Sequence, residues 1–162
     1  MPLPATHVLA NLFIFYPFRK SLGKYWAIFA IFSGLLADFD FVFNYCGDLF
    51  GISVGCFGHG GFFHSVGFVI LLLGIALVVY ARNKEYGKYA FMLVMGVTIH
   101  ILLDLVLGGG AYSLALFFPF SDAVFRIHLL APWQENAYGI LDALMILILM
   151  IWYWFKLRCN NE

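Results

Sequence analysis

Two residues four apart, His100 and Asp104 in His-Ile-Leu-Leu-Asp, share one face of any helix that carries them. Such a pair chelates a single cation, or the carboxylate orients the ring for one, or the two merely pair within the helix. A second candidate, His59-Gly-Gly-Phe-Phe-His64, has histidines five apart. They cannot share a regular helix face, but a glycine turn lets the backbone fold them together. The third is Asp38-Phe39-Asp40. Carboxylates two apart reach one site only where a helix ends. Otherwise one binds and the other supports, and a water-exposed helix end would look the same. His7 follows Thr6 near the start. A mixed histidine and carboxylate set suits a divalent metal. Zinc is the first choice, and manganese or iron also accept such ligands. The chemistry would be hydrolysis, using metal-lowered water acidity and metal polarisation of the attacked group. Asp38 and Asp104 are the candidate catalytic carboxylates, one of them spare to act as general base. His128 and Glu135 flank Pro132-Trp133 and read as an interfacial loop. Asp122 and Arg126, four apart, read as a pair.

These residues lie in unusual surroundings. Of 162 residues, 64% are hydrophobic, 20% aromatic and 11% charged, with nine basic against nine acidic side chains. Mean hydropathy is +0.92. Soluble domains carry about 25% charged residues. This composition excludes a typical soluble enzyme, a disordered chain and a nucleic-acid binder, which needs a basic excess. It predicts an all-α, polytopic membrane bundle, a single domain over residues 1–162. At roughly 20 residues per span there is room for about five transmembrane or re-entrant helices. Apolar stretches run at 6–18, 25–45, 62–81, 89–107 and 138–155. The first is short enough to be re-entrant. The piece 111–118, broken at Pro119, reads as re-entrant or interfacial. The start lacks a basic leader, so no signal peptide is expected.

Arg19, Lys20, Lys24, Arg82, Lys84, Lys88, Lys156 and Arg158 are eight of the nine basic residues. All fall on one side if every segment spans, and the positive-inside rule makes that side cytoplasmic. Tyr25, Trp26, Tyr80, Tyr86, Tyr89, Trp152, Tyr153 and Trp154 border it as an aromatic belt. Cys46 and Cys56 face outward, either as a disulfide or as two free thiols. An aspartate in mid-span costs about 2.5–3.5 kcal/mol on insertion scales, and such residues are functional candidates. At about 1.5 Å per residue, counted from the nearest cytoplasmic basic residue, His7 and His100 lie about 18 Å deep. Asp38 and Asp142 lie at about 21 Å, Asp104 at about 24 Å and His64 at about 27 Å. Residues converging on one site would share such a slab toward the outer leaflet.

In order, Thr6-His7, Gly34-Leu-Leu-Ala-Asp38-Phe-Asp40, His59-Gly-Gly-Phe-Phe-His64-Ser65, His100-Ile-Leu-Leu-Asp104 and Phe118-Pro119-Phe120-Ser121 resemble the YdjM-like family. That family comprises inner-membrane-associated, metal-dependent hydrolases. The similarity runs from about residue 5 to 125, and the ordered combination is more specific than any one motif. The resemblance implies His7, Asp38, Asp40, His59, His64, His100 and Asp104 as metal ligands. The family is more remotely similar to zinc-dependent phospholipases C and related nucleases, which cleave phosphoesters. Ala37 stands where the family has proline. The arginine and threonine of its His-Arg-Gly-x-Thr-His-Ser motif are absent, and Arg126 is the one outward arginine that could substitute.

The sequence therefore points first to a membrane metal hydrolase. Its partners would be the lipid bilayer and a phosphoester or lipid-linked substrate, with no nucleic acid and an oligomeric state left open. Its site would face the extracytoplasmic side of the inner membrane. Two other classes compete. A haem or ion- and proton-handling protein could use His64 and His100, leaving Asp38, Asp40 and His59 without a role. A catalytically inactive structural or regulatory protein would keep the metal for folding.

Overall fold

The computed structural model describes residues 4–51, 60–107, 114–125, 127 and 136–159. Among them the architecture is all-α, with one isolated antiparallel bridge between Leu114 and Phe125. The helices are α1 (Pro4–Phe15), α2 (Arg19–Leu22), α3 (Trp26–Leu35), α4 (Asp40–Phe50), α5 (Val66–Arg82), α6 (Lys84–Leu107) and α7 (Asn136–Cys159). Short 3-10 turns at Tyr16–Phe18, Ala37–Phe39 and Phe62–His64 join or open them.

Local chemistry explains the boundaries. Gly23 ends α2 at φ +90° and Gly51 ends α4 at φ +65°, a region that glycine enters without steric penalty. Ser65 caps α5, its hydroxyl accepting from the Phe68 N–H at 3.2 Å. Asn83 caps α6 through its Oδ1, which accepts from the N–H groups of Glu85 and Tyr86. Both side chains satisfy first-turn donors that the helix itself leaves unpaired.

Helix α6 is central. It packs on α5 and α3, while α1 packs on α3, α7 and α6. Among the described residues, α6 is the single helix long and apolar enough by itself to cross a bilayer. The pair from Trp26 to Phe50 also passes if its two limbs are one span, but it bends by 52° at the Ala37–Phe39 turn. α5 and the 142–152 portion of α7 are apolar but shorter. One or two spans by this criterion is fewer than the five segments expected. The difference lies in the 12-residue α1, the break in α3–α4, the 17-residue α5 and the short 142–152 portion of α7.

Burial is inverted relative to a soluble protein. Ile28, Ile70 and Met150 are 63%, 55% and 62% exposed, and many neighbours on α3, α4, α5 and α7 are similar. Among the described residues the largest fully buried side chains are His7, His64, His100, Val97, Asn11, Asp40, Ser33 and Ser65, all polar but Val97. Water would not tolerate so large an apolar surface on a monomer, whereas lipid would. Two apolar clusters flank the polar interior. One joins Phe15, Ala30, Tyr89 and Met92, and the other joins Phe68, Val97, Ile101 and Leu114.

Of the 111–118 piece expected as re-entrant or interfacial, the described residues 114–118 belong to a non-helical stretch, 114–125, lying by the start of α5 and the end of α6. Val66 N–H donates to the Leu116 carbonyl at 2.8 Å, and Ile127 N–H to that of Leu105 at 3.2 Å. Cys46 is exposed and carries a free thiol. Its sequence-level partner Cys56 lies outside the described residues, as do His59, Arg126, His128 and Glu135.

Candidate metal centre

The break between α3 and α4 builds one wall of the site. A continuous helix would point Asp38 and Asp40 to different faces. The 3-10 turn, with Phe39 outward at 49% exposure, turns both carboxylates inward beside His64. The opposite wall is α6, where one helical turn sets His100 and Asp104 on the same buried face. His64 enters from the turn that precedes α5, and His7 from the start of α1.

The side chains meet closely. His7 Nε2 lies 3.3 Å from Asp104 Oδ1, and the Nε2 atoms of His64 and His100 both lie 3.3 Å from Asp104 Oδ2. His100 Nε2 is 3.4 Å from Asp38 Oδ1, and His64 Nε2 is 3.8 Å from that oxygen. The His7 and His100 rings stack at 3.6 Å and 14°. Two groups emerge that could hold a metal ion, His7–Asp38–His100 and His64–His100–Asp104, with ligand atoms within 4.8 Å of one another in each. All three rings are 0% exposed, while Asp104 and Asp38 retain 5% and 8%.

Hydrogen bonding supports that fit. Both His7 nitrogens, His100 Nε2 and all four oxygens of Asp38 and Asp104 are buried with no hydrogen-bond partner. An unsatisfied buried polar group costs about 1–3 kcal/mol. So many facing one another form a set that could hold a metal ion. The outer sides of two rings are held. His100 Nδ1 lies 2.8 Å from the Gly34 carbonyl. A carbonyl only accepts, so Nδ1 carries the proton and Nε2 presents its lone pair inward. His64 Nδ1 lies 3.1 Å from Asp40 Oδ2, which also accepts from the Gly60 N–H at 3.3 Å. Asp40 thus stands behind His64, as carboxylates stand behind metal-ligating histidines.

Of the seven residues singled out from the sequence, His7, Asp38, His64, His100 and Asp104 come together and Asp40 backs one of them. His59 lies outside the described residues. Asp142, at the same expected depth, serves another purpose. Its Oδ1 accepts from the backbone N–H of Thr6 at 2.9 Å and from the Thr6 hydroxyl. It thereby caps α1 one residue before His7.

Sequence reasoning missed the layer beneath. Asn11, Ser33 and Gly96 meet where α1, α3 and α6 cross, with Asn11 Nδ2 donating to Ser33 Oγ at 3.1 Å and to the Gly96 carbonyl at 3.3 Å. The signal was available in spacing, since Asn11 follows His7 by four and Gly96 precedes His100 by four. Small residues permit the approach. A Cβ on Gly34 would meet Val8 Cα at 2.9 Å and the His7 carbonyl carbon at 3.1 Å. Such small residues are favoured where membrane helices pack closely.

No curated protein and no solved structure matches the chain. The profile of the YdjM inner membrane protein family matches residues 1–159. With nearly its full length so matched, and with a buried polar centre inside an apolar exterior, the chain belongs to the YdjM inner membrane protein family.

Proposed function

We propose that this protein is a membrane-embedded, metal-dependent hydrolase of a phosphoester or other lipid-linked substrate. One observation carries the reading. Five buried histidine and aspartate side chains from four separate segments converge with their ring nitrogens and carboxylate oxygens toward one another. Zinc is the favoured ion. A tetrahedron with ligand distances of about 2.0 Å has edges of about 3.3 Å, close to the 3.3–3.4 Å separating the facing atoms.

A bound divalent ion would acidify a water and polarise the attacked group. The chain's own residues do the rest. His7, His64 and His100 offer Nε2 lone pairs, with the Gly34 carbonyl and Asp40 fixing the orientation of two rings. Asp38 and Asp104 direct their carboxylates at these rings. One of these carboxylates completes the ligand set and the other takes the proton from the attacking water. Haem fits less well, because rings stacked at 3.6 Å and others with centroids 5.2 Å apart leave no slot for a porphyrin. In the membrane, five helical segments would cross or enter the bilayer with the basic residues cytoplasmic. The site then opens toward the outer leaflet of the inner membrane.

The test is metal analysis of the purified chain, followed by a phosphodiester and lipid-phosphate screen with and without chelator. Stoichiometric zinc and chelator-sensitive hydrolysis are expected. Wild-type protein that binds no divalent metal would sink the reading. Metal-loaded protein inert toward every substrate would favour a structural role.

A further inference from the structure

Two of the three site histidines have the outer ring nitrogen held, His100 by the Gly34 carbonyl and His64 by Asp40. The third does not. His7 Nδ1 is buried without a hydrogen-bond partner. One turn further along α1, Asn11 is 0% exposed, and its Oδ1 also has no partner. Its amide orientation is settled by its neighbours. The Gly96 carbonyl can only accept, so the atom 3.3 Å from it is the NH₂ group and Oδ1 points elsewhere. Residues four apart share a helix face. A helical side chain leans toward the N-terminus, which carries Asn11 toward His7. A ring nitrogen that needs an acceptor and an oxygen that needs a donor therefore stand one turn apart in the same buried interior.

We propose that one buried water bridges His7 Nδ1–H to Asn11 Oδ1, making Asn11 a positioning residue for His7. The water accepts from the ring and donates to the amide, two of the two to four bonds a buried water requires. The consequence is a fixed tautomer, with the Nε2 lone pair of His7 directed at the cluster. This use of the lone pair rests on the metal reading above.

Zinc affinity of the full chain in detergent, measured by competition with a chromophoric chelator, tests it. Asn11→Ala removes both halves of the amide. Asn11→Asp keeps an acceptor and loses the donor, and Ser33→Ala removes only the donor's partner. Asn11→Ala should weaken zinc roughly tenfold or more, as loss of an orienting partner does, while Ser33→Ala stays near wild type and Asn11→Asp, which keeps the acceptor but adds a charge beside the Gly96 carbonyl, loses less than Asn11→Ala. Equal losses in all three would mean a purely structural amide and overturn the proposal, as would unchanged affinity in Asn11→Ala. Wild-type protein without zinc affinity would instead defeat the metal reading, and the proposal with it. A second measurement does not depend on the variants folding. In zinc-loaded, ¹⁵N-histidine-labelled wild type, the His7 Nδ1–H, identified by its loss in His7→Gln, should be visible and slow to exchange. Its absence would overturn the bridge.

Discussion

His100 donates from Nδ1 to the carbonyl of Gly34 at 2.8 Å, across 66 residues of sequence. The bond locks α6 to α3 at the level of the site and selects the tautomer that leaves Nε2 free for a ligand. The backbone of α1 lies against the same glycine.

Gly34→Ala should therefore damage the centre without touching a ligand. The new methyl would meet backbone atoms of His7 and Val8 at 2.9–3.1 Å, and a helix backbone cannot yield as a side-chain tip can. Overpacking of this kind costs about 1–3 kcal/mol. A lower unfolding temperature in detergent together with loss of bound metal is expected. A variant with full metal content would show that α1 is not needed to complete the site.

Asp38 and Asp40 are two apart in sequence but differ in position. Asp38→Asn should reduce metal stoichiometry, because an inward-facing oxygen becomes a weaker, neutral donor. Asp40→Asn should keep the stoichiometry and lower affinity by about 10–100-fold, the range for partners that orient a ligating ring. Titration of both variants with zinc decides the matter, and the reverse order would reassign the two carboxylates.

Asp142→Ala should loosen the start of α1. The Thr6 N–H and hydroxyl lose their shared acceptor, and loss of a helix cap costs about 0.5–2 kcal/mol. Thermal unfolding should fall accordingly. Metal affinity should fall less than in His7→Ala, since the ligand itself remains. An Asp142→Ala variant as metal-poor as His7→Ala would place Asp142 in the site.

Orientation can be read from the exposed thiol of Cys46. In a variant with Cys56 and Cys159 replaced by serine, a membrane-impermeant maleimide should label Cys46 in intact spheroplasts. Labelling only after permeabilisation would invert the topology.

Much of the centre was legible in the sequence, because a charge in an apolar segment is too unfavourable to be incidental. His100 and Asp104 needed only helical periodicity. Depth counting brought His7, Asp38 and His64 to one level, and the structure joins these five. The same counting included Asp142, which caps α1 instead, since depth carries no information about azimuth around the bundle. The division between Asp38 and Asp40 was left open, because it depends on a 3-10 turn that interrupts the helix. Asn11, Ser33 and Gly96 went unnoticed: the four-residue spacing of Asn11 from His7 and of Gly96 from His100 puts each on the site's helix face, but only the helix crossing shows what they bond.

The sequence by itself pointed to an all-helical membrane chain with His7, Asp38, Asp40, His59, His64, His100 and Asp104 as the candidates for a polar centre. Composition and one-dimensional spacing suffice for that, because lipid forces helices and makes buried charge expensive. Only the tertiary structure decided which atoms face the cluster, which residues stand behind them and where α1, α3 and α6 touch backbone to backbone. Those are relations between helices, set by small residues at crossings and a 52° bend, and no spacing within a single segment encodes them.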